Sequence, residues 1–327
     1  MPVMNSHRAL VIIERSTLSC AFVDAWLKGG NTIAAFWTTD TDLLKSPPQD
    51  RLAARASDIP TLAELARGHR IPVVQTNKLG RRSETHMFPD VPKADTLITL
   101  MTHQIVPDWL LRKFGKRAIN VHPAYLPHYK GPRPTLSLLI DGAAEKYGGV
   151  TVHVLDSGID TGAIIAQRHV PYSPKQDYHS WTYETAIAGS NIASNELQKY
   201  LGGTLEAINQ TKGTGNYRIS DQFEFVIDSK KTINEVRKLF TLPKDIALHA
   251  LIDNGLDKRR SIAIYRYIKF VSPPTGDAYK LTPISLEMDI CDARIKLWRR
   301  RKLLFNSVRK AYSIARYRIV ASRARTD

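Results

Sequence analysis

Apolar runs separated by stretches of helical periodicity divide the first part of the chain. Residues 9–13 (ALVII) are apolar throughout, which is typical of a strand buried on both faces of a parallel sheet. Residues 17–28 carry apolar side chains at helical spacing and end before two glycines, which predicts a helix with a glycine stop. Further strand-like runs follow at 32–37, 71–74, 96–100 and 117–120. This alternation predicts an α/β fold with a doubly wound, mostly parallel, Rossmann-like sheet.

The pattern continues past the last of these strands. Strands are predicted at 148–155 and 163–170, joined by a glycine-rich turn. A long helix is predicted at 184–201, ended by Gly202 and Gly203. We therefore expect the first domain to span residues 1–205.

The pattern weakens after this point. Residues 209–217 are polar and contain two glycines, which is typical of a linker. Residues 233–239 predict a short helix, and residues 261–270 partly alternate as a strand does. We expect residues 206–290 to form a smaller C-terminal domain of uncertain fold.

Residues 291–327 differ again and predict a basic amphipathic C-terminal helix. One side of this helix would carry a set of apolar residues: Trp298, Phe305, Val308, Tyr312, Ala315 and Ile319. Twelve of the 47 Lys and Arg residues lie between Arg294 and Asp327, against one acidic residue, so this segment carries +11 of the net charge of +16. Such a helix suits an anionic membrane surface or the phosphates of tRNA or of a nucleotide sugar. Packing of its apolar side against its own domain is the alternative.

Length and composition add few constraints. A chain of 327 residues is long enough for roughly two domains. Two cysteines do not form a disulfide framework, which favours a reducing, cytoplasmic location. There is no run of about 18 apolar residues, so we expect no membrane-spanning helix.

The candidate chemistry lies at the end of the predicted strand at 117–120. Asn120 and His122 are two residues apart, and side chains at this spacing on a strand point to the same face. In a doubly wound sheet, ligands bind at the carboxyl ends of the strands, where these residues fall. An amide can donate a hydrogen bond to a developing oxyanion, and an imidazole can move a proton near neutral pH. Asp160, on the turn between Gly158 and Gly162, would orient the imidazole.

The segment 120–131 (NVHPAYLPHYKG), its spacing to Asp160 and the strand 149–153 (GVTVH) resemble the 10-formyltetrahydrofolate-dependent formyltransferases. That family includes methionyl-tRNA, glycinamide ribonucleotide and amino-sugar formyltransferases and formyltetrahydrofolate hydrolases. The resemblance covers about residues 9–205 and implies that Asn120, His122 and Asp160 are the catalytic residues. The chain departs from the family pattern at Ala124, where serine is usual, and at 14–17 (ERST), where a glycine-containing turn is common.

The resemblance also implies binding residues. The formyl donor, 10-formyltetrahydrofolate, would contact Leu100, Met101, Ile105, Leu155, Gly158 and Ile159. The acceptor would contact Tyr125, Leu126, Pro127, Tyr129, Lys130 and Arg133, with Arg133 facing a phosphate where the acceptor has one. No metal is expected, and we interpret His153 as structural because it precedes the turn by several residues.

These expectations define a reaction and leave the acceptor open. An amine would attack the formyl carbon, with Asn120 stabilising the oxyanion and His122 carrying the proton to the leaving nitrogen. A small amine such as an amino-sugar nucleotide is the first choice, and methionyl-tRNA is the alternative. Water as acceptor would make the protein a hydrolase. A non-catalytic binding protein that uses its basic tail is the remaining hypothesis, and the oligomeric state stays open.

Overall fold

The computed structural model describes residues 6–45, 48–219, 224–253, 259–277, 279–299 and 310–318. Two sheets organise these residues, one of seven strands and one of six. The first sheet has the order β3-β2-β1-β4-β5-β6-β7. Its strands are β1 Arg8–Ile13, β2 Thr32–Thr38, β3 Val73–Gln75, β4 Thr96–Leu100, β5 Ala118–His122, β6 Gly149–Val154 and β7 Ile164–His169. β1 to β5 are parallel, whereas β6 pairs antiparallel with both β5 and β7.

The inner strands β1 and β4 are buried on both faces, as the apolar runs predict. β1 is buried from Ala9 to Ile13, and β4 is buried along its whole length. Helices cover the sheet: α1 Thr17–Lys28, α2 Pro48–Ser57, α3 Leu62–Gly68, α4 Asp108–Phe114, α5 Pro134–Ile140, α6 Ala144–Tyr147, α7 Tyr178–Ser194 and α8 Glu196–Leu201. The predicted doubly wound, mostly parallel α/β fold is confirmed.

The long helix predicted at 184–201 is two helices, so that prediction is wrong in detail. α7 begins earlier, because the Asp177 side chain caps it by accepting from the Ser180 amide at 2.8 Å. It ends at Asn195, whose ψ of −82° separates α7 from α8. The apolar periodicity crosses this break, which is why a single helix was expected.

The second sheet has the order β11-β12-β13-β10-β9-β8. Its strands are β8 Val226–Ile227, β9 Leu248–Asp253, β10 Arg259–Ser272, β11 Lys280–Leu281, β12 Ser285–Asp289 and β13 Arg294–Arg299, and α9 is Ile233–Leu239. Its core is a separate group of buried residues that includes Ala250, Leu286 and Ile295. The predicted helix at 233–239 is confirmed, and the predicted strand at 261–270 lies within β10.

The expected basic helix does not begin at Arg294. Residues 294–299 form β13, which pairs with β10 and β12, so the second sheet extends past residue 290. Ile295 and Leu297 are fully buried at alternate positions of this strand, a period of two that a helical interpretation cannot accommodate. Trp298 therefore belongs to a strand.

Residues 310–318 are helical and form α10, but the buried side differs from the predicted one. Ser313 and Ile314 are buried, and Ile314 joins the core of the first domain. Tyr312, expected on the apolar side, is 64% exposed. Three of the apolar residues expected in this helix, Phe305, Val308 and Ile319, lie outside the described residues. α10 packs on its own domain, which is the alternative that the sequence left open.

Two further contacts attach α10 to the first domain. The rings of Tyr183 and Tyr317 meet edge to face, with centroids 5.9 Å apart. Arg318 forms an ion pair with Asp58. Within the described part of the chain, no helix combines the length and the apolar character needed to cross a membrane.

Candidate active site

β5 places Asn120 and His122 at the carboxyl edge of the parallel strands. Thr99 of β4 lies beside Asn120 in parallel register, and His153 of β6 lies opposite it in antiparallel register. The strand is fixed on both sides by backbone hydrogen bonds, so both side chains are carried on a rigid element. They point to the same face, as their spacing predicts, because both reach the carboxylate of Asp160.

Asp160 lies on the turn between β6 and β7 and accepts hydrogen bonds on both oxygens. Oδ2 accepts from the Gly131 amide at 2.8 Å and lies 3.5 Å from His122 Nδ1. Oδ1 accepts from Asn120 Nδ2 at 3.2 Å and lies 3.5 Å from His153 Nε2. The side chain is 11% exposed, so four polar groups surround a nearly buried carboxylate.

These partners keep Asp160 ionised. Burial alone would raise the pKa of its carboxyl group. The attraction to the protonated form of His122 and the hydrogen bond from the Gly131 amide outweigh burial and hold this pKa well below its usual range. Asp160 is therefore an anion at neutral pH and can stabilise a positive charge on His122.

The neighbours of Asn120 define the orientation of its amide. The Thr99 hydroxyl donates to Asn120 Oδ1 at 2.7 Å. Asn120 Nδ2 faces Asp160 Oδ1 at 3.2 Å and His153 Nε2 at 3.1 Å. The flipped amide would put its oxygen against the carboxylate, which is unfavourable. Asn120 Nδ2 therefore faces two protein acceptors, and a ligand oxygen would compete with them for its N–H groups.

His153 is the acceptor for one of these N–H groups. Its Nδ1 lies 2.9 Å from the Val154 carbonyl, which only accepts, so Nδ1 carries the proton. Nε2 of the neutral ring is then the acceptor for Asn120. Sequence reasoning assigned His153 no part in the site, because the pairing that places it opposite Asn120 is invisible without the strand register.

His122 is buried, with 4% exposure, and its two nitrogens have different partners. Nε2 donates to the Tyr129 carbonyl at 2.9 Å, so the neutral ring has its lone pair on Nδ1, towards Asp160. Burial lowers the pKa of His122, and the Asp160 charge and the Tyr129 carbonyl only partly offset this. The ring is thus a neutral base whose protonated form would be bound by a carboxylate and a carbonyl.

A cavity of about 560 Å³ opens beside these residues, and its wall includes Asn120, His122 and Asp160. This volume is in the usual range for a small-molecule site. Of the residues expected to contact the formyl donor, five lie in the wall: Met101, Ile105, Leu155, Gly158 and Ile159. Leu100 does not, because it ends β4 with its side chain in the core at 0% exposure. The positive φ of Met101 then turns the chain toward the cavity.

The residues expected to contact the acceptor are mostly elsewhere. Arg133 lies in the cavity wall. Leu126 and Tyr129 are buried, and the Tyr125 ring packs edgewise on His169. The other two, Pro127 and Lys130, face the segment before the second domain. Within residues 125–131, the Tyr129 carbonyl contacts His122.

Gln104 also belongs to the cavity wall and has no assigned role from the sequence. Its Oε1 accepts from the Leu79 amide at 3.0 Å. Its buried Nε2 has no hydrogen-bond partner among the residues that the structure describes. His103 and Arg81 complete the more basic part of the wall. Burial, followed by the charges of Arg133 and Lys78, lowers the pKa of His103.

Comparisons with known proteins find similar formyltransferases. Residues 38–196 match the family described as formyl transferase. The methionyl-tRNA formyltransferase of Synechococcus sp. (strain JA-3-3Ab) is 32% identical over 170 residues, 51% of this chain and 52% of the relative. That of Listeria monocytogenes is 30% identical over 178 residues, 53% of this chain and 56% of the relative. The chain spans about half the length of the curated relatives it matches.

Two solved structures share the fold. One is the N-formyltransferase from Helicobacter canadensis in complex with folinic acid and dTDP-3-aminofucose, with a TM-score of 0.50 and 17% identity, covering 90% of this chain and 100% of that chain. The other is a sugar 3N-formyltransferase in the presence of dTDP and 5-N-formyl-THF, with a TM-score of 0.50 and 18% identity, covering 91% of this chain and 99% of that chain. At these identities the likeness concerns the fold alone.

Proposed function

We propose that this chain, whose residues 38–196 match the formyl transferase family, transfers a formyl group from 10-formyltetrahydrofolate to a primary amine. The observation that carries the proposal is the convergence of Asn120, His122 and Asp160 at the wall of one cavity of about 560 Å³. An amide donor, an imidazole and a carboxylate are the groups that acyl transfer to an amine requires.

Each residue has a defined step in this proposal. The neutral amine adds to the formyl carbon, forming a new C–N bond and a tetrahedral intermediate. Asn120 donates an N–H group to the oxyanion. His122 accepts the amine proton at Nδ1, where Asp160 stabilises the imidazolium, and delivers it to N10 as the C–N10 bond breaks. The products are a formamide and tetrahydrofolate, so the atoms and charges balance.

His122 Nδ1 faces Asp160, so the ring or the carboxylate must move slightly before Nδ1 can exchange a proton with the amine or with N10. The nearest acceptor of the Nδ1 proton is Asp160 Oδ2, at 3.5 Å. This distance is longer than a hydrogen bond, which leaves room for the ring or the carboxylate to adjust when the amine is present. Residues that hold Asp160 would therefore influence the rate.

An amino-sugar nucleotide is the acceptor that we propose first. Support comes from the fold shared with the two sugar N-formyltransferases, which extends over nine-tenths of the chain and therefore beyond the first sheet. Arg133 lines the cavity and would meet a phosphate of such an acceptor.

Methionyl-tRNA is the second candidate. The sequence relatives with this activity are 30–32% identical across the catalytic half of the chain.

The test is a direct transfer assay. The protein is incubated with 10-formyltetrahydrofolate and either a dTDP-linked 3-amino sugar, charged initiator methionyl-tRNA, or no amine, and tetrahydrofolate release is followed. Release that depends on one amine identifies the acceptor class. Equal release without any amine indicates a hydrolase, and donor binding without release in every arm indicates a binding protein. His122→Ala is the negative control.

A further inference from the structure

The segment of residues 208–218, which has the composition of a linker, lies across the back of the catalytic residues. We call it the crossing segment. It begins with Ile208, which exchanges two backbone hydrogen bonds of 2.8 Å with Ile164 of β7. It ends with Tyr217 and Arg218, which run beside Lys130. Residues 211–214 between these ends form an exposed turn. A linker would contact neither catalytic loop, whereas this segment contacts both.

The first set of contacts is with the turn that carries Asp160. Gln210 Nε2 donates to the carbonyls of Asp160 and Gly162, both at 2.9 Å. The Tyr217 hydroxyl donates to the Ile159 carbonyl at 2.7 Å. Asp160 has a φ of +56°, in the left-handed region, and a conformation of this kind persists when its surroundings hold it. Two side chains of the crossing segment thus hold the backbone on either side of the Asp160 carboxylate.

The second set of contacts is with the loop behind His122. Asn216 Oδ1 accepts from the Tyr129 amide at 3.0 Å, and the Asn216 carbonyl accepts from the Lys130 amide at 3.1 Å. The Arg218 amide donates to the Lys130 carbonyl at 2.8 Å. Tyr129 supplies the carbonyl that accepts from His122 Nε2. The crossing segment therefore also fixes the group that sets the orientation of the imidazole.

Two glycines allow the backbone of the crossing segment to lie close to that of residues 127–131. Gly215 has a φ of +76°, and a Cβ there would lie 1.9 Å from the Pro127 carbonyl oxygen. Gly131 has a φ of +109°, and its Cβ would lie 2.9 Å from the Arg218 carbonyl oxygen. Gly131 is also the residue whose amide donates to Asp160. Backbone contact at this distance means that a displacement of one segment displaces the other.

The surroundings of the Gln210 side chain show which part of its amide matters. Its Oε1 is buried and has no hydrogen-bond partner within the part of the chain that the structure describes. A buried acceptor without a partner is unfavourable. An apolar side chain of the same length would avoid this penalty and would also give up the two N–H donors. Those donors are thus what the amide contributes at this position.

We propose that Gln210 and Asn216 are positioning residues that set the Asp160 carboxylate and the His122 imidazole in their relative geometry. The expected loss of kcat rests on the proposed formyl transfer, whereas the expected displacement of Asp160 does not. Gln210 acts through the backbone of Asp160, and Asn216 acts through the Tyr129 amide and carbonyl. Neither side chain is required to touch the formyl group or the amine.

The kinetic test compares Gln210→Met with Gln198→Met. Gln198 also donates to a backbone carbonyl, that of Ala193 at 2.8 Å, but it lies on α8, away from the cavity. We expect Gln210→Met to lower kcat by about 100-fold, the scale of a misplaced catalytic group, with little change in the KM for the donor. Gln198→Met should lower the melting temperature and leave kcat within about twofold. Equal kcat values for the two variants would overturn the proposal.

Asn216 provides a rescue test. Asn216→Ala removes the acceptor for the Tyr129 amide and should lower kcat, whereas Asn216→Asp retains an acceptor oxygen and should recover most of it. Recovery would not follow if Asn216 merely stabilised the fold through its amide nitrogen. If Asn216→Asp is as slow as Asn216→Ala, Asn216 has no role as an acceptor.

A third pair covers the case in which Gln210→Met does not fold. Tyr217→Phe removes only the hydroxyl that donates to Ile159, and Tyr200→Phe removes a hydroxyl that donates to the Lys116 carbonyl at 2.8 Å. Tyr217→Phe should lower kcat, and Tyr200→Phe should not. The same kcat for both would count against the proposal.

An NMR titration separates failure of this proposal from failure of the proposed function. Asp160 raises the pKa of His122, whereas His153 and burial lower it. If Gln210→Met lets Asp160 move away, the His122 resonances titrate at a lower pH than in the wild type, whether or not the protein transfers formyl groups. An unchanged titration would contradict the positioning role. A lower titration pH without turnover in the wild type would refute only the formyl transfer.

Discussion

Asn120 and His122 are held by a sheet, whereas the carboxylate that they face is held by a turn. β5 has hydrogen-bonded neighbours on both sides, so the positions of its two side chains follow from the fold itself. Asp160 has no such neighbours on its turn, and its position depends on side chains 50 or more residues further along the chain. The comparison shows that one candidate site can combine a rigid half with a half that depends on distant contacts.

The largest effect is expected from the sheet-held half. His122→Ala removes the group proposed to move the proton, and general acid–base catalysis of this kind typically contributes about 10²–10⁴-fold in rate. We expect that loss in kcat, with donor affinity close to wild type, because the ring is only a small part of the cavity wall. Single-turnover kinetics and calorimetric binding of the donor check both. Wild-type turnover in this variant would exclude the assigned role.

The turn-held half can be probed without altering a catalytic side chain. Gly215→Ala places a Cβ 1.9 Å from the Pro127 carbonyl oxygen, so the crossing segment must shift. Gly213→Ala has the same φ of +76° with nothing within 4 Å of the new Cβ, and it is the matched control. Each substitution carries the cost of a positive φ, on the order of 1 kcal/mol of unfolding free energy.

Only Gly215→Ala should also lower kcat, by about 10- to 100-fold if the shift reaches 1 Å at the site. Steady-state kinetics and thermal unfolding of both variants provide the measurement. Loss of stability in both with equal kcat would show that the turn-held half does not depend on the crossing segment.

The pH dependence reports on contact between the two halves. His122 must be neutral to accept a proton, so the rate falls as pH drops through its pKa. Burial holds that pKa below its ordinary value, so we expect the acid limb of kcat/KM to lie below about pH 6.5. Asp160→Asn removes the charge that raises this pKa, and its acid limb should lie lower still. An acid limb at higher pH in Asp160→Asn would contradict the assigned contact.

The smallest effect on turnover is expected from α10. Ile314 is 1% exposed in the core of the first domain, and truncation of such a side chain typically costs about 2–5 kcal/mol of unfolding free energy. Ile314→Ala should therefore lower the urea midpoint and leave kcat within about twofold. A large loss of kcat at unchanged stability would instead connect α10 with the site.

The sequence predicts the rigid half of the site better than the other half. The spacing of Asn120 and His122 on a strand is local information, and so is the run of apolar residues that makes β1 a buried strand. His153 reaches the site because β6 pairs with β5, and Gln210 reaches it through a hydrogen bond to the Asp160 carbonyl, 50 residues away in the sequence. Neither leaves a local pattern. In the sequence, Gly215 indicates a flexible linker, whereas in the structure it allows the backbone to pass close to the Pro127 carbonyl.

The second sheet is hard to predict from the sequence for a related reason. β8 and β11 have two residues each, too few for a periodic signal, and β10 contains an irregularity in its pairing with β13. The basic tail was misassigned over residues 294–299 because charged side chains alternate there with Ile295 and Leu297, and the helical pattern further along was extended back across them. The charged residues of this segment suggest a solvated helix, but burial of the two apolar residues Ile295 and Leu297 makes it a strand.

Transfer of label from donor to acceptor tests the central claim most directly. The protein is given 10-formyltetrahydrofolate carrying ¹³C in the formyl group, together with each candidate amine, and the carbon is followed by NMR. Formyl transfer predicts that the label appears as a formamide on one amine in the wild type and stays on the donor in His122→Ala. Label that appears as formate, or that stays on the donor with every amine tested, would contradict the account.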